Sequence, residues 1–338
     1  MKIILGAIKE FNDDALYMAR QLGSEGFHFN TPPIAANDED FWTVRALKWL
    51  KEYTEKFELK LEMIENVPIR FFESIMLNAP DRDEKIENYI KTIKNMGEVG
   101  IGILGHHFCP TWAWRTSITH PQRGGAKVSA FNLKEAKSGV NAYSISALHM
   151  ARFKDSENLP TREDLWKNYE YFIKAVIPEA EKAGVKLIVH PSDPPVEKIA
   201  GVERIFISID DFKRAEKIAN SDNWGINFCM GSFSQLGGED AVMEMIEEFV
   251  SRSKVHMVHF RDVQGNINDF CECFIGDGRY NPAKIMHALY KYGYKGLILD
   301  DHVPFIYNDT PWGHRARANV FGYLRGMQKM FEYMSDIK

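Results

Sequence analysis

The sequence predicts an α/β protein, a (β/α)₈ barrel of the TIM type, on three observations. Short Ile-, Val- and Leu-rich runs alternate with stretches of helical period, eight such runs occur, and a helix-ending glycine precedes several of them. Taken in order, the predicted strands are Lys2–Ala7, Gly26–Phe29, Leu59–Ile64, Gly100–Leu104, Val185–Val189, Trp224–Phe228, His256–Phe260 and Gly296–Leu299. Ala183-Gly184, Met96-Gly97 and Tyr292-Gly293 stand before three of them, where a glycine ends a helix at no steric cost. Between the strands, Ile86, Tyr89, Ile90 and Ile93 form a stripe at i, i+3, i+4 and i+7, and Val242, Ile246 and Val250 form another at i, i+4 and i+8. Eight βα units favour a closed barrel over an open doubly wound sheet. The absence of a Gly-x-Gly-x-x-Gly after the first strand removes the dinucleotide-binding form of that alternative.

One connection is too long for a βα loop. The stretch between the fourth and fifth strands is read as a rim insertion, about residues 106–165, within a single barrel domain spanning 1–338. Its segment Thr111 to Asn132 carries Trp112, Trp114 and Phe131, which favours an ordered cover over the active face rather than a mobile loop. The residues from Thr161 to Ala183 read as the helix that returns to the sheet.

Composition excludes several classes. A net charge of −5 gives no attraction for nucleic acid, and no apolar run approaches membrane-spanning length. The start Met1-Lys2-Ile3-Ile4-Leu5-Gly6 lacks the features of a signal peptide, so a cytoplasmic protein is expected. Four cysteines then stay reduced and free to bind metal.

In such a barrel, residues at the C-terminal ends of the strands converge. The last four strands end in His190, Cys229, His259 and Asp301. Each alone has an ordinary structural explanation, but four in succession, aimed at one place, predict a metal site. Two imidazoles, a thiolate and a carboxylate suit Zn²⁺, Fe²⁺, Co²⁺ or Mn²⁺, and disfavour the hard ions Mg²⁺ and Ca²⁺. Cys271-x-Cys273 lacks the spacing of a zinc pair and reads as two ordinary thiols.

Ten segments of this chain resemble the D-mannonate dehydratase family, a metal-dependent family on a xylose-isomerase-like barrel. They are Glu65-Asn66-Val67-Pro68 with Ile86-Glu87-Asn88-Tyr89, Phe108-Cys109-Pro110 with Trp114-Arg115-Thr116, His190-Pro191-Ser192-Asp193-Pro194-Pro195, Cys229-Met230-Gly231-Ser232, Val258-His259-Phe260-Arg261, Phe270-x-Glu272, Asp301-His302 and Leu324-Arg325-Gly326. The resemblance runs over most of the chain. It implies His190, Cys229, His259 and Asp301 as ligands of Mn²⁺ or Fe²⁺, a catalytic position at His302, and dehydration of a sugar acid, D-mannonate, to 2-keto-3-deoxy-D-gluconate. Three departures stand out: Ser192 where the family has a second Asp, Val303 where it has Gly, and no Tyr in Pro311 to Arg317 where it has a functional one.

That reaction removes a proton α to a carboxylate and expels the β-hydroxyl, so it needs a base, an acid and a grip on the carboxylate. His302 and His314 are the acid/base candidates, and Arg261, Arg115 and Glu65 the substrate-binding ones. The structural alternatives are that His302 supports the metal, His314 caps a loop, Arg115 is a solvated charge, and Arg261 pairs with Asp262 or a neighbouring strand end. A sugar isomerase or epimerase is the rival enzyme class, and a sugar-binding protein without catalysis the rival beyond enzymes. A small sugar acid is the expected partner; a homo-oligomer stays open.

Overall fold

The computed structural model describes residues 1–36, 38–143 and 159–336. Eight parallel strands close into the predicted barrel. β1 runs in two pieces, Lys2–Ile3 and Leu5–Ile8. β2 is Phe27–Asn30, β3 Leu61–Glu65, β4 Ile103–His107, β5 Lys186–His190, β6 Trp224–Cys229, β7 Val255–His259 and β8 Leu297–Leu299. The interruption of β1 closes the cylinder: Lys2 and Ile3 pair with Leu297 and Ile298 of β8, while Leu5 and Gly6 pair with Phe27 and His28 of β2.

A helix follows each strand in turn: Asp13–Leu22, Val44–Glu55, Arg82–Val99, Arg162–Ala183, Ile209–Ala219, Glu239–Met245, Pro282–Lys291 and His314–Asp336. Their starts have local causes. Asn12, Thr43, Ser208 and Asn281 each accept a hydrogen bond from a backbone N–H of the first turn, and Thr161 and Asp164 bond each other's backbone in a reciprocal cap. The fourth strand starts later than the expected Gly100–Leu104. The helix runs through Gly97 to Val99, and Gly100 is the residue that adopts the left-handed conformation, with φ 81, at its end. β4 therefore reaches three residues beyond Leu104, to His107. Among the described residues, no helix is long and apolar enough to cross a membrane.

Two apolar layers hold the frame. Ile4, Met63, Ile188, Met257, Leu297 and Leu299 fill the barrel interior. A larger cluster, with Trp42, Tyr89, Trp166, Tyr169, Phe172 and Trp224, packs strands against helices. Fully burying such a side chain stabilises by about 1.5–3 kcal/mol.

The described part of the rim insertion forms a hairpin, Ser117–Pro121 with Lys127–Asn132, and a short helix, Leu133–Lys137. The hairpin joins Val263–Asn266 and Asp269–Glu272, which follow β7, in a four-stranded antiparallel sheet. Trp114, Phe131, Val196, Ile199, Val263 and Phe270 form its buried apolar centre, and the rings of Phe131 and Phe270 stack at 5.5 Å. The insertion is thus tied to the barrel by its own core. Residues 144–158, part of the expected insertion, lie outside the described residues.

Candidate metal centre and active site

Strand periodicity places the site. Side chains two residues apart share a face, so the residue two beyond an interior core residue also points into the barrel, one layer nearer the C-terminal rim. Met63 leads to Glu65, Ile188 to His190, Met257 to His259 and Leu299 to Asp301. Register keeps these ends level: His107 is opposite His190, Cys229 opposite His259, and Asn30 opposite Glu65.

The donor atoms of His190, Cys229 and His259 lie within 4.8 Å of one another, and all three residues are buried. Donors about 2.0–2.3 Å from an ion stand at most about 4.6 Å apart, so this trio surrounds an ion after shifts of a few tenths of an ångström. Neither ring nitrogen of His259 has a hydrogen-bond partner among the described residues. Buried imidazole nitrogens without partners cost free energy unless something satisfies them. Carboxylate oxygens of Glu65 and Asp301 each stand 3.6 Å from that ring. Burial disfavours charge on His259, but these two carboxylates outweigh it and hold the ring well above its usual value. A pocket that retains a proton on an imidazole in this way also attracts a cation. His190 behaves oppositely: burial and the neighbouring His259 push it down to about 4, which leaves a neutral ring. Its Nδ1 faces the Pro191 carbonyl at 2.7 Å, fixing the ring.

Asp301 is near this trio but differently engaged. Its Oδ2 accepts a hydrogen bond from Arg261 Nε at 2.8 Å. A second donor group, Glu65, His107 and His190, shares His190. Glu65 is fully embedded: Asn227 donates to it at 3.0 Å, and His28 and His107 stand 3.1 and 3.4 Å away. Burial opposes its ionisation, yet His259, His107 and His28 hold its carboxyl well below the usual range. So Glu65, expected to bind substrate, is held among imidazoles at the cavity floor.

A cavity of about 500 Å³ opens above these residues, with Lys9, Glu65, His107, His190, His259 and Asp301 among its lining groups. His302, Asp193, Tyr143, Trp112 and Arg317 also face it. His302 Nδ1 is 2.9 Å from Glu272 Oε1, and its Nε2 is 3.7 Å from Asp301 Oδ2. Burial works against its charged form, but Asp301 and Glu272 prevail and raise its pKa.

The arginines expected to hold substrate are elsewhere. Arg115 is completely buried and gives its Nη atoms to Asp193 at 3.0 and 2.7 Å and to Glu272 at 2.8 Å. Arg261 spends Nε on Asp301, Nη1 on Glu272 and Nη2 on Asp193, each at 2.8 Å. Neither lines the cavity. Arg261 pairs with strand ends, as its structural alternative had it, whereas Arg115 is the opposite of a solvated charge. His314 is also displaced from its expected role. It opens the last helix, its Nδ1 lies 2.5 Å from the Thr310 hydroxyl, and it borders an adjoining depression with Phe11, Asn12 and Trp312 that shares Ala7 and Lys9 with the cavity. The stretch Thr310 to His314 turns tightly enough for Asp309 to accept from the N–H groups of Arg315 and Ala316, and that turn carries the ring away.

Reading only the four late strands missed Lys9, His28, His107 and Tyr143. The signal for His107 was the fourth strand running on past Leu104; that for Lys9 was its place just past the end of β1. Tyr143, in the insertion, had no periodicity to reveal it.

A model of the family described as D-mannonate dehydratase (UxuA) matches residues 13–338. A mannonate dehydratase of Streptococcus pneumoniae (strain 70585) is 32% identical over 306 residues, covering 85% of this chain and 82% of that protein. The crystal structure of mannonate dehydratase from Streptococcus suis serotype 2 superposes with a TM-score of 0.84 at 28% identity, covering 97% of this chain and 94% of the other. A xylose isomerase domain protein from Planctomyces limnophilus, at a TM-score of 0.61 and 11% identity over 97% of each chain, shares the fold.

Proposed function

The chain belongs to the D-mannonate dehydratase family, and from that premise we propose that its cavity dehydrates D-mannonate to 2-keto-3-deoxy-D-gluconate. It is a hydro-lyase by family. The observation that carries the substrate-level reading is the gathering of His190, Cys229 and His259 on the floor of a cavity that His302 borders. No observation favours the isomerase or epimerase alternative beyond the shared fold.

His190, Cys229 and His259 would hold the divalent ion, with Asp301 as the fourth ligand through the oxygen that Arg261 leaves free. The softness of the thiolate and the two imidazoles favour Mn²⁺ or Fe²⁺ over Mg²⁺. Such an ion, when bound, stabilises the negative charge that develops on the substrate as the α-proton leaves. Glu272 fixes the His302 ring through Nδ1, which leaves Nε2 to exchange a proton with substrate. The second proton-transfer role passes from His314 to Tyr143, which borders the same cavity. Burial raises the Tyr143 phenol and keeps it protonated, ready to donate to a departing hydroxyl. Arg115 and Arg261 position Asp193, Glu272 and Asp301 and do not touch substrate. We read the whole chain as one barrel with a rim insertion, working inside the cell on a small sugar acid.

The test is a time course with D-mannonate and Mn²⁺ or Fe²⁺ under reducing conditions, followed by a colour reaction for 2-keto-3-deoxy acids. Product is expected, and chelator-treated enzyme should form none. Metal-dependent product from a different aldonate alone would reject D-mannonate as substrate; ketose–aldose interconversion without a deoxy product would reject dehydration.

A further inference from the structure

A sugar acid enters the cavity with a carboxylate, and the cavity's fixed charges do not welcome one. Glu65, Asp193 and Asp301 face it. The two buried arginines beside it are shared among Asp193, Glu272 and Asp301, two positive charges against three negative. Arg317, the only arginine among the described lining residues, is committed to Asp300, to the Trp312 carbonyl and to the Asp301 carbonyl. His107 and His190 stack at 4.1 Å, with His107 beside Glu65 and His190 against the Pro191 carbonyl, so both rings are already engaged. His302 faces Glu272 and Asp301, and His259 stands between Glu65 and Asp301, so each of these imidazoles is already set against carboxylates.

Lys9 differs from all of these. It follows Ile8, the last residue of β1, on the catalytic rim of the barrel. It lines the cavity with Asn30 and Glu65 from the next two strands. It makes no hydrogen bond or ion pair with any described residue, so its ammonium has three donors to offer. Its side chain keeps contact with solvent, although the surrounding protein desolvates the ammonium and lowers its pKa, a shift that the Glu65 carboxylate opposes.

We propose that Lys9 is the substrate-carboxylate receptor of this site and the residue that makes it select an acid over a neutral polyol. This rests on the sugar-acid reading above. A lysine at this position acts as a mobile point charge on a flexible stem, which reaches one carboxylate oxygen without imposing the planar fork of an arginine. It also explains how the site works with both expected arginines sequestered. They set the shape of the rim, and Lys9 provides the electrostatic attraction.

Equilibrium binding of D-mannonate and of neutral D-mannitol to the Mn²⁺-loaded protein, with metal content measured in parallel, tests this. Lys9→Met should weaken D-mannonate tenfold or more, leave D-mannitol within twofold, and leave metal content unchanged. Lys9→Arg should restore most of the loss, because it returns the charge. Where turnover is measurable, Lys9→Met should raise KM far more than it lowers kcat. Unchanged D-mannonate affinity in Lys9→Met overturns the assignment. Equal weakening of D-mannonate and D-mannitol overturns it too, because that marks a change in cavity shape. Charge-dependent binding in the unaltered protein without product would leave Lys9 as the receptor and reject the dehydratase reading alone.

Discussion

At the residue scale, the site depends on a side chain passing where only hydrogen leaves room. Gly231 is the second residue of the helix Met230–Gly237, which directly follows Cys229. A Cβ at that position would stand 2.4 Å from Arg261 Nη1, 2.7 Å from its Cζ and 2.9 Å from its Cγ. Arg261 has no slack to yield, because its three guanidinium nitrogens are bonded to three carboxylates. Gly231→Ala should therefore destabilise by about 1–3 kcal/mol, the usual scale for forcing atoms into packed space. It should also weaken metal binding, since Arg261 orients Asp301. Thermal unfolding and elemental analysis check both, and a variant with unchanged stability and metal would refute the clamp. The convergence of the candidate donors was legible at this scale because chain spacing alone aims them: the residue two beyond an interior core residue points into the same space. The arginine roles were not legible. An arginine beside a strand end reads the same whether it faces substrate or a buried Glu272 brought from another loop.

At the scale of elements, the rim sheet is where the barrel and its insertion become one structure. Arg115 comes from the insertion after β4, Asp193 follows β5, Arg261 follows β7, and Glu272 lies on the rim strand Asp269–Glu272. The eight barrel strands were foreseen in number and order because β-rich runs and helix-ending glycines are local signals. The pairing of the insertion with a loop about 140 residues later is a long-range contact that no local pattern carries. Removing one arginine from this buried group leaves carboxylates without their counter-charge, so Arg115→Met should cost about 3–5 kcal/mol. Acid adds a sharper signature. Burial alone would raise Glu272, but Arg261, His302 and Arg115 hold it down at about 2, and Asp193 is also depressed by Arg115 and Arg261. A carboxylate depressed in the folded state stabilises fully above its unfolded value, near about 4, and that contribution fades as pH falls towards 2. Stability should fall steeply with acid across that window in the unaltered protein. The slope should flatten in Arg115→Met, whose Glu272 titrates closer to its unfolded value. Parallel slopes from urea unfolding at several pH values would show that the network does not hold Glu272 down.

At the scale of the whole molecule, the proposed ion would find its donors gathered only where the barrel has closed. His190, Cys229 and His259 sit on three consecutive strands, and Asp301 lies just beyond the fourth, β8. The unfolded chain has no such gathering, since about 110 residues separate the first donor from the last. An ion that binds only the folded state stabilises it by about 2.7 kcal/mol at one hundred times its dissociation constant. For a large domain that is a rise in unfolding temperature of several degrees. Mn²⁺ should therefore raise the unfolding midpoint of the chelator-stripped protein, and the rise should depend on ion concentration. The variants then separate binding from chemistry without recourse to turnover. His259→Ala removes a donor whose two ring nitrogens have no hydrogen-bond partner among the described residues, and should abolish the Mn²⁺-dependent rise. His302→Ala removes a ring that is held by Glu272 and borders the cavity, and should keep the rise while turnover falls by about 10²-fold or more. A His302→Ala protein that no longer responds to Mn²⁺ would move His302 into the metal shell. A His259→Ala protein that responds as before would place the ion on the other donor group, Glu65, His107 and His190.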